Sequence, residues 1–288
     1  MENSLNSDLV FKSYAIEVDQ WIENYFQESN GGVNRAVLEL NKSMAYSASN
    51  GGKRFRPVLS LLVADLFQIH HQVVMPFAAA VEFIHTYSLI HDDLPCMDND
   101  DYRRGQPTNH KVYGEAVALL AGDGLLTESF FIISQQFENS ALVKSLTQLL
   151  TTAAGARGMV GGQAIDLAAE GKDLQLEQMI ELHLLKTGAM IRVAAEGAAL
   201  IAGANENQKL LIKDYAEKLG LAFQIADDIL DFHEKDQVQR SFVGLLGLEG
   251  SLAYLQDVSN EAKDSIRKLG LNTEHLEFLI DYNLNRKH

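Results

Sequence analysis

The feature that most restricts this fold is a spacing. Beyond Pro107 no further proline occurs up to His288, and apolar residues recur there at intervals of three and four. That period lines one face of a helix, and no sustained two-residue alternation bounded by turn signals competes with it. Helices are predicted over roughly 9–28, 33–48, 55–69, 74–92, 115–137, 141–156, 174–202, 207–232, 249–268 and 274–285. The chain has 288 residues, 47% of them hydrophobic, with no obvious linker and no internal repeat. The expectation is an all-α fold, a single bundle of about ten long helices over 1–288.

Charge narrows the partners. A net charge of -15 and a pI near 5.0 argue against nucleic acid, which requires a basic surface. An anionic substrate would have to be met by local cationic clusters. No N-terminal stretch has signal-peptide order and no uninterrupted apolar run approaches membrane-spanning length. With Cys96 as the lone cysteine, these features predict a soluble cytoplasmic protein without a membrane span.

Within that frame the stretch His91–Gly105 sets Asp92, Asp93, Asp98, Asp100 and Asp101 beside Arg103 and Arg104. Carboxylates at this density repel unless a cation sits among them, and the arginines are redundant unless an anion arrives. Mg2+ with a substrate diphosphate satisfies both, whereas the blander reading is a solvated helix end. The preceding segment, Phe77 to Ile90, is apolar and helical in pattern, so the acids close a buried helix where unpaired charge is costly. A second group, Gln224 with Asp227, Asp228 and Asp231, is embedded in an equally apolar pattern. Asp227 and Asp231 are four residues apart, hence on one face, and repel without a counterion. Two inward acidic groups make a shared metal site the better reading.

Other positions keep two readings. Gly51–Pro57 enters a helix with Lys53, Arg54 and Arg56, as an anion site or a solvated basic loop. His85 lies two helical turns before Asp92, as a ligand or a core histidine. Tyr87, with Ser88 beside it, falls about 7.5 Å below the acids, as a tunnel floor or ordinary core. Gly161-Gly162-Gln163 with Asp166 reads as punctuation before a long helix. Lys186-Thr187-Gly188 interrupts that helix, either as a distortion that turns the Thr187 hydroxyl toward a cavity or as a packing glycine. Trp21, Ile22 and Phe26 repeat on one face and read as core or subunit contact.

Taken in order, the motifs GGKRFRP, IHTYSLIHDDLPCMDNDDYRRGQPTNH, AGDGLL, GGQAID, LLKTGAM and FQIADDILD resemble the trans-isoprenyl diphosphate synthases of the bacterial short-chain type. They span about residues 50 to 232. The resemblance implies a central cavity between two facing helices, each carrying an aspartate-rich motif. It implies that Asp92 and Asp98, with Asp227 and Asp231, hold several Mg2+ ions, Asp93 and Asp228 supporting them. Arg103 would bind the allylic diphosphate. Arg104, Lys53, Arg56 and His85 would bind isopentenyl diphosphate. Lys186, Thr187 and Gln224 would line the allylic side. The implied reaction is ionisation, condensation and elimination, with Arg103 and Lys186 opposing the charge on the departing diphosphate. Tyr87 stands where the family limits chain length, which favours a farnesyl product over a geranylgeranyl one. A homodimer is implied as well.

One departure stands out. After Asp231 the family carries a loop with glycine and lysine, but here only a short stretch precedes LLGLE. Lys235 and Arg240 do not align convincingly with the missing lysine, and Arg286-Lys287 would lie near the isopentenyl site. This motivates a catalytically weak partner subunit as the non-enzyme alternative. An HD-type metal phosphohydrolase, suggested by His91-Asp92 with His70, His71, His85 and His110, accounts for neither the second acid group nor GGKRFRP.

Overall fold

Helix after helix forms where the three-and-four spacing runs. The computed structural model describes residues 2–28, 34–232 and 241–285. In order these are α1 (Glu2–Glu28), α2 (Arg35–Ser49), α3 (Phe55–Leu66), α4 (His71–Asp92), a small hairpin of β1 (Tyr102–Arg103) and β2 (Gln106–Pro107), α5 (Asn109–Tyr113), α6 (Glu115–Gln136), α7 (Ser140–Ala154) and α8 (Met159–Ala168). Then come α9 (Leu176–His183), a π-helical turn (Leu184–Gly188), α10 (Ala189–Ile201), α11 (Glu206–Leu230), α12 (Phe242–Arg267) and α13 (Glu274–Leu284). Side-chain caps fix several starts: Asn34, Asn205 and Ser241 accept the N–H groups of Ala36, Gln208 and Gly244.

Some boundaries depart from expectation. Gly161 and Gly162 do not punctuate the chain but lie inside α8. A Cβ on Gly162 would stand 2.3 Å from the Lys186 backbone nitrogen, so close packing overrides the poor helix propensity of glycine. The helix expected from 249 begins at Phe242 and passes a break at Gly247, whose φ is 70°. The hairpin was not expected. Its turn is Arg104-Gly105, with φ of 54° and 77°, as the twist of a two-residue hairpin turn requires.

Packing divides the chain into two units. In the unit of Leu9–Leu61 and His70–Thr147, α4 lies along α6 and buries Phe77, Val81 and Ile84. Such burial contributes about 1.5–3 kcal/mol per large side chain. His91 crosses between these helices and donates from Nε2 to the Leu119 carbonyl at 3.0 Å. Gly122 makes room, since a Cβ there would meet that nitrogen at 2.1 Å. In the other unit α11 packs against α10 and α12. Met179, Leu221, Ile225, Phe242, Leu255 and Val258 form a core there.

Two helices, α4 and α6, are long and apolar enough to cross a membrane by length and composition. The most apolar stretch of α4 is 78% buried within the fold, whereas that of α6 is only 39% buried. Exposed Leu119, Leu120 and Phe131 account for part of the difference.

Candidate active site

The first group of site residues lies in the unit built on α4 and α6. Its entrance is the glycine pair, Gly51 and Gly52, with φ of 60° and 102°. Arg104 donates from Nη1 to the Gly51 carbonyl at 2.6 Å. A Cβ on Gly52 would lie 2.4 Å from the Arg104 guanidinium carbon, so only glycine permits this approach. Arg54, itself at φ 48°, turns inward. It donates to Asp19 at 2.7 Å, Glu82 at 2.9 Å and the Ala48 carbonyl at 2.7 Å, and is 2% exposed. Arg54 is therefore a buried, fully engaged strut.

Arg56 differs. It sits in the first turn of α3, and its buried Nε has no hydrogen-bond partner among the described residues. Burial lowers its pKa to about 10, with Glu82 opposing the fall and Arg104 adding to it. His85 is held well below the usual imidazole range, first by burial and then by Arg56, Arg104, Arg54 and Arg103. A neutral imidazole thus stands among four guanidinium groups, one of which presents an unmatched donor. A buried N–H without an acceptor costs about 1–3 kcal/mol, so the arrangement suits an incoming anion. Lys53, three residues before Arg56 in the chain, is exposed.

The first aspartate motif follows directly. Asp93 is buried, and its carboxylate accepts from Arg103 Nε at 2.6 Å. Burial nevertheless raises its pKa, the Arg103 hydrogen bond and charge acting the other way. Arg103 also donates to Asp100 at 3.1 Å, and Lys111 pairs with Asp101 at 2.6 Å. Asp92, half-buried, and Asp98, exposed, are drawn together by the Asp98 N–H donating to the Asp92 carbonyl at 2.8 Å. Tyr87 is 6% exposed, and its pKa is pushed up to about 12 by burial and by the Asp92 charge. Its neighbour Ser88 donates to the His85 carbonyl at 2.8 Å.

The second group lies in the unit built on α11. The interruption expected at Lys186-Thr187-Gly188 is the π-helical turn, with half-buried Thr187 inside it. The turn is flanked by two glycine contacts. Gly162 of α8 lies against the Lys186 backbone, and a Cβ on Gly220 of α11 would stand 2.9 Å from Gly188 Cα. Lys186 donates to Asp166 at 2.6 Å. At the end of α11, Gln224 donates from Nε2 to Asp227 at 3.2 Å, and the Asp231 N–H donates to the Asp227 carbonyl at 2.9 Å. Asp228 accepts the Phe242 N–H at 2.7 Å. Burial raises the Asp228 pKa to about 6, opposed by that N–H and reinforced by Asp231.

Of the expected residues, Lys53, Arg56, His85, Tyr87, Ser88, Asp92, Asp93, Asp98, Arg103 and Arg104 belong to one unit. Lys186, Thr187, Gln224, Asp227, Asp228 and Asp231 belong to the other. Lys235, Arg240 and Arg286-Lys287 lie outside the described residues. The sequence offered Asp166 only as punctuation and passed over Glu82 and His183. A carboxylate twenty residues before a lysine, and a histidine three before it, carry no periodic signal of their own. Among the described residues no three His, Cys, Asp or Glu side chains already converge at metal-holding distance. His91 is engaged with α6 through its Nε2.

Comparison with known proteins places these arrangements. The polyprenyl synthetase family model matches residues 37–244. A farnesyl diphosphate synthase from Micrococcus luteus is 42% identical over 263 residues, which cover 87% of this chain and 90% of the relative. A geranylgeranyl diphosphate synthase from Cyanophora paradoxa is 41% identical over 260 residues, covering 85% and 86%. The crystal structure of an FPP/GFPP synthase from Zymomonas mobilis superposes with a TM-score of 0.87 at 37% identity, covering 97% of this chain and 98% of that one. The all-α architecture is that of the isoprenoid synthases, and the chain belongs to the polyprenyl synthetase family.

Proposed function

We propose that this protein is a prenyltransferase that condenses dimethylallyl or geranyl diphosphate with isopentenyl diphosphate, giving farnesyl diphosphate. The observation that carries this reading is the unmatched Arg56 donor beside a neutral His85 and Arg104, a ready cradle for a diphosphate. Isopentenyl diphosphate occupies it, with Lys53 at the rim. The family match runs through residues of both units, in keeping with one synthase domain over 1–288.

The carboxylates fit Mg2+. Asp92 with Asp98, and Asp227 with Asp231, are linked through their main chains and would offer oxygen donors in the small number that Mg2+ takes when water and phosphate fill its remaining positions. When bound, Mg2+ neutralises charge on the departing diphosphate. The chain's own residues do the rest. Arg103, braced by Asp93 and Asp100, presents its guanidinium to the allylic diphosphate. Lys186 adds a second positive charge, steadied by Asp166. The Gln224 amide and the Thr187 region offer dipoles to the allylic cation. The isopentenyl double bond attacks that cation, and the proton lost on elimination passes to the released diphosphate. No side-chain nucleophile is required.

Tyr87 closes the space below Asp92 and stops growth at fifteen carbons; a geranylgeranyl product is the second reading, favoured by the Cyanophora paradoxa relative. The exposed apolar face of α6, with Leu119, Leu120 and Phe131, supports a homodimer. We place the acidic, single-cysteine chain in the cytoplasm. Incubation with Mg2+, isopentenyl diphosphate and either primer tests the reading: a fifteen-carbon prenol after dephosphorylation is expected. Absence of elongation with both primers removes the assignment, leaving a partner subunit. A twenty-carbon product removes only the role of Tyr87.

A further inference from the structure

His183 ends α9 immediately before the π-helical turn and is 9% exposed. Its ring stacks on Phe242 at 5.4 Å and 25°, and Phe242 is itself tied by its N–H to Asp228. Nδ1 lies 2.9 Å from Gln224 Oε1, while Gln224 Nε2 lies 3.2 Å from Asp227 Oδ2. Chemistry orders these contacts without appeal to hydrogen positions. An ionised Asp227 only accepts, so Gln224 must turn its NH2 toward it. The amide oxygen then faces His183, and Nδ1 must carry the proton. A second observation agrees. Nε2 is buried without a partner among the described residues, and a bare nitrogen is tolerated there more readily than an orphaned N–H. Burial holds the imidazole below its usual range, Gln224 and then Asp166 opposing this and Lys186 adding to it.

We infer that His183 is a positioning residue: as the neutral Nδ1–H tautomer it fixes the Gln224 amide, and through it the Asp227 carboxylate. The inference rests on the proposed prenyltransferase function for its consequence but not for its geometry. Without the Nδ1–H donor, Gln224 loses one of the two contacts that hold its amide, and Asp227 is left with a less firmly held donor. Partners at this remove from a metal or a reacting group typically change affinity or rate about 10- to 100-fold.

The test uses the whole protein. In 15N-histidine spectra of the unaltered chain, the His183 signal, assigned by its loss in His183→Phe or His183→Asn, should report a protonated Nδ1 and a bare Nε2. A proton on Nε2 overturns the inference whatever the activity. In kinetics, His183→Phe keeps the stack on Phe242 and should lower kcat about 10- to 100-fold with little change in melting temperature. His183→Asn, whose amide N–H can replace Nδ1–H, should recover most of that loss. Added to Gln224→Met, His183→Phe should cost nothing more. Equal losses in the Phe and Asn variants, or losses that multiply on the Gln224→Met background, overturn it. If the unaltered protein elongates neither primer, the functional proposal fails alone. The tautomer still decides for His183, together with a calorimetric Mg2+ titration in which His183→Phe should bind more weakly and unchanged affinity would count against the inference.

Discussion

The two aspartate groups are compensated in different ways. Around the first, guanidinium and ammonium groups interleave with the acids: Arg103 stands between Asp93 and Asp100, and Lys111 holds Asp101. Around the second, the Gln224 amide donates to Asp227 and the Phe242 N–H donates to Asp228. Burial, and then the neighbouring Asp231 charge, raise Asp228 to about 6 against the Phe242 N–H. Internal ion pairs can hold the first group in shape before substrate arrives. At the second, Asp231 and Asp228 repel, and an arriving cation would relieve that repulsion.

The contrast is sharpest within the cationic cluster of the first group, where the largest effect is expected. Arg54→Ala leaves Glu82, 2% exposed, without its partner and should destabilise the protein by about 3–5 kcal/mol in urea unfolding. Arg56→Ala should leave stability nearly intact and raise KM for isopentenyl diphosphate. Equal behaviour of the two variants would erase the distinction between strut and anion ligand.

Next come the acids themselves. Asp92→Asn and Asp227→Asn should each lower kcat by about 10²–10³-fold. The difference between the groups appears in the cation requirement: Asp227→Asn should raise the half-saturating Mg2+ concentration more than Asp92→Asn does. The reverse order would break the comparison.

A smaller effect, on product and not on rate, is expected at Tyr87. Tyr87→Ala should shift the prenol toward twenty carbons or more in chromatography of dephosphorylated product, and an unchanged length would return Tyr87 to ordinary core.

The smallest effect concerns His85. Its folded pKa lies below its ordinary value, so below about pH 6.5 the unfolded chain takes up a proton that the native state refuses. Stability from this group is present above that pH and falls as pH drops toward the depressed value, by no more than about 1.4 kcal/mol per pH unit. Unfolding measured from pH 7.5 to 5 should show a steeper slope in the unaltered protein than in His85→Gln, where buried His183 still contributes in the same direction. Identical slopes would mean that neither burial nor the arginines depress the His85 pKa.

Legibility in the sequence followed periodicity. The helices at α4, α6 and α11 were readable because long apolar stripes on one face leave no other way to bury them. The acids at the ends of α4 and α11 were readable because charge inside such a stripe is costly. Lys186-Thr187-Gly188 betrayed the π-helical turn through one glycine in a helical pattern. Gly161-Gly162 misled, since the same residue type serves close approach inside α8. The Arg104-Gly105 hairpin was hidden because two-residue strands carry no period.

By itself, the sequence determined the helical class, the two groups of aspartates and the basic entrance at Gly51–Pro57, because each rests on local spacing or composition. Only the tertiary structure decided that Arg54 is a strut while Arg56 presents an unmatched donor. It alone tied Asp93 to Arg103, Lys186 to Asp166, and His183 to Gln224. Those choices depend on which side chains meet from distant helices, and desolvation and hydrogen-bond matching act only once they have met.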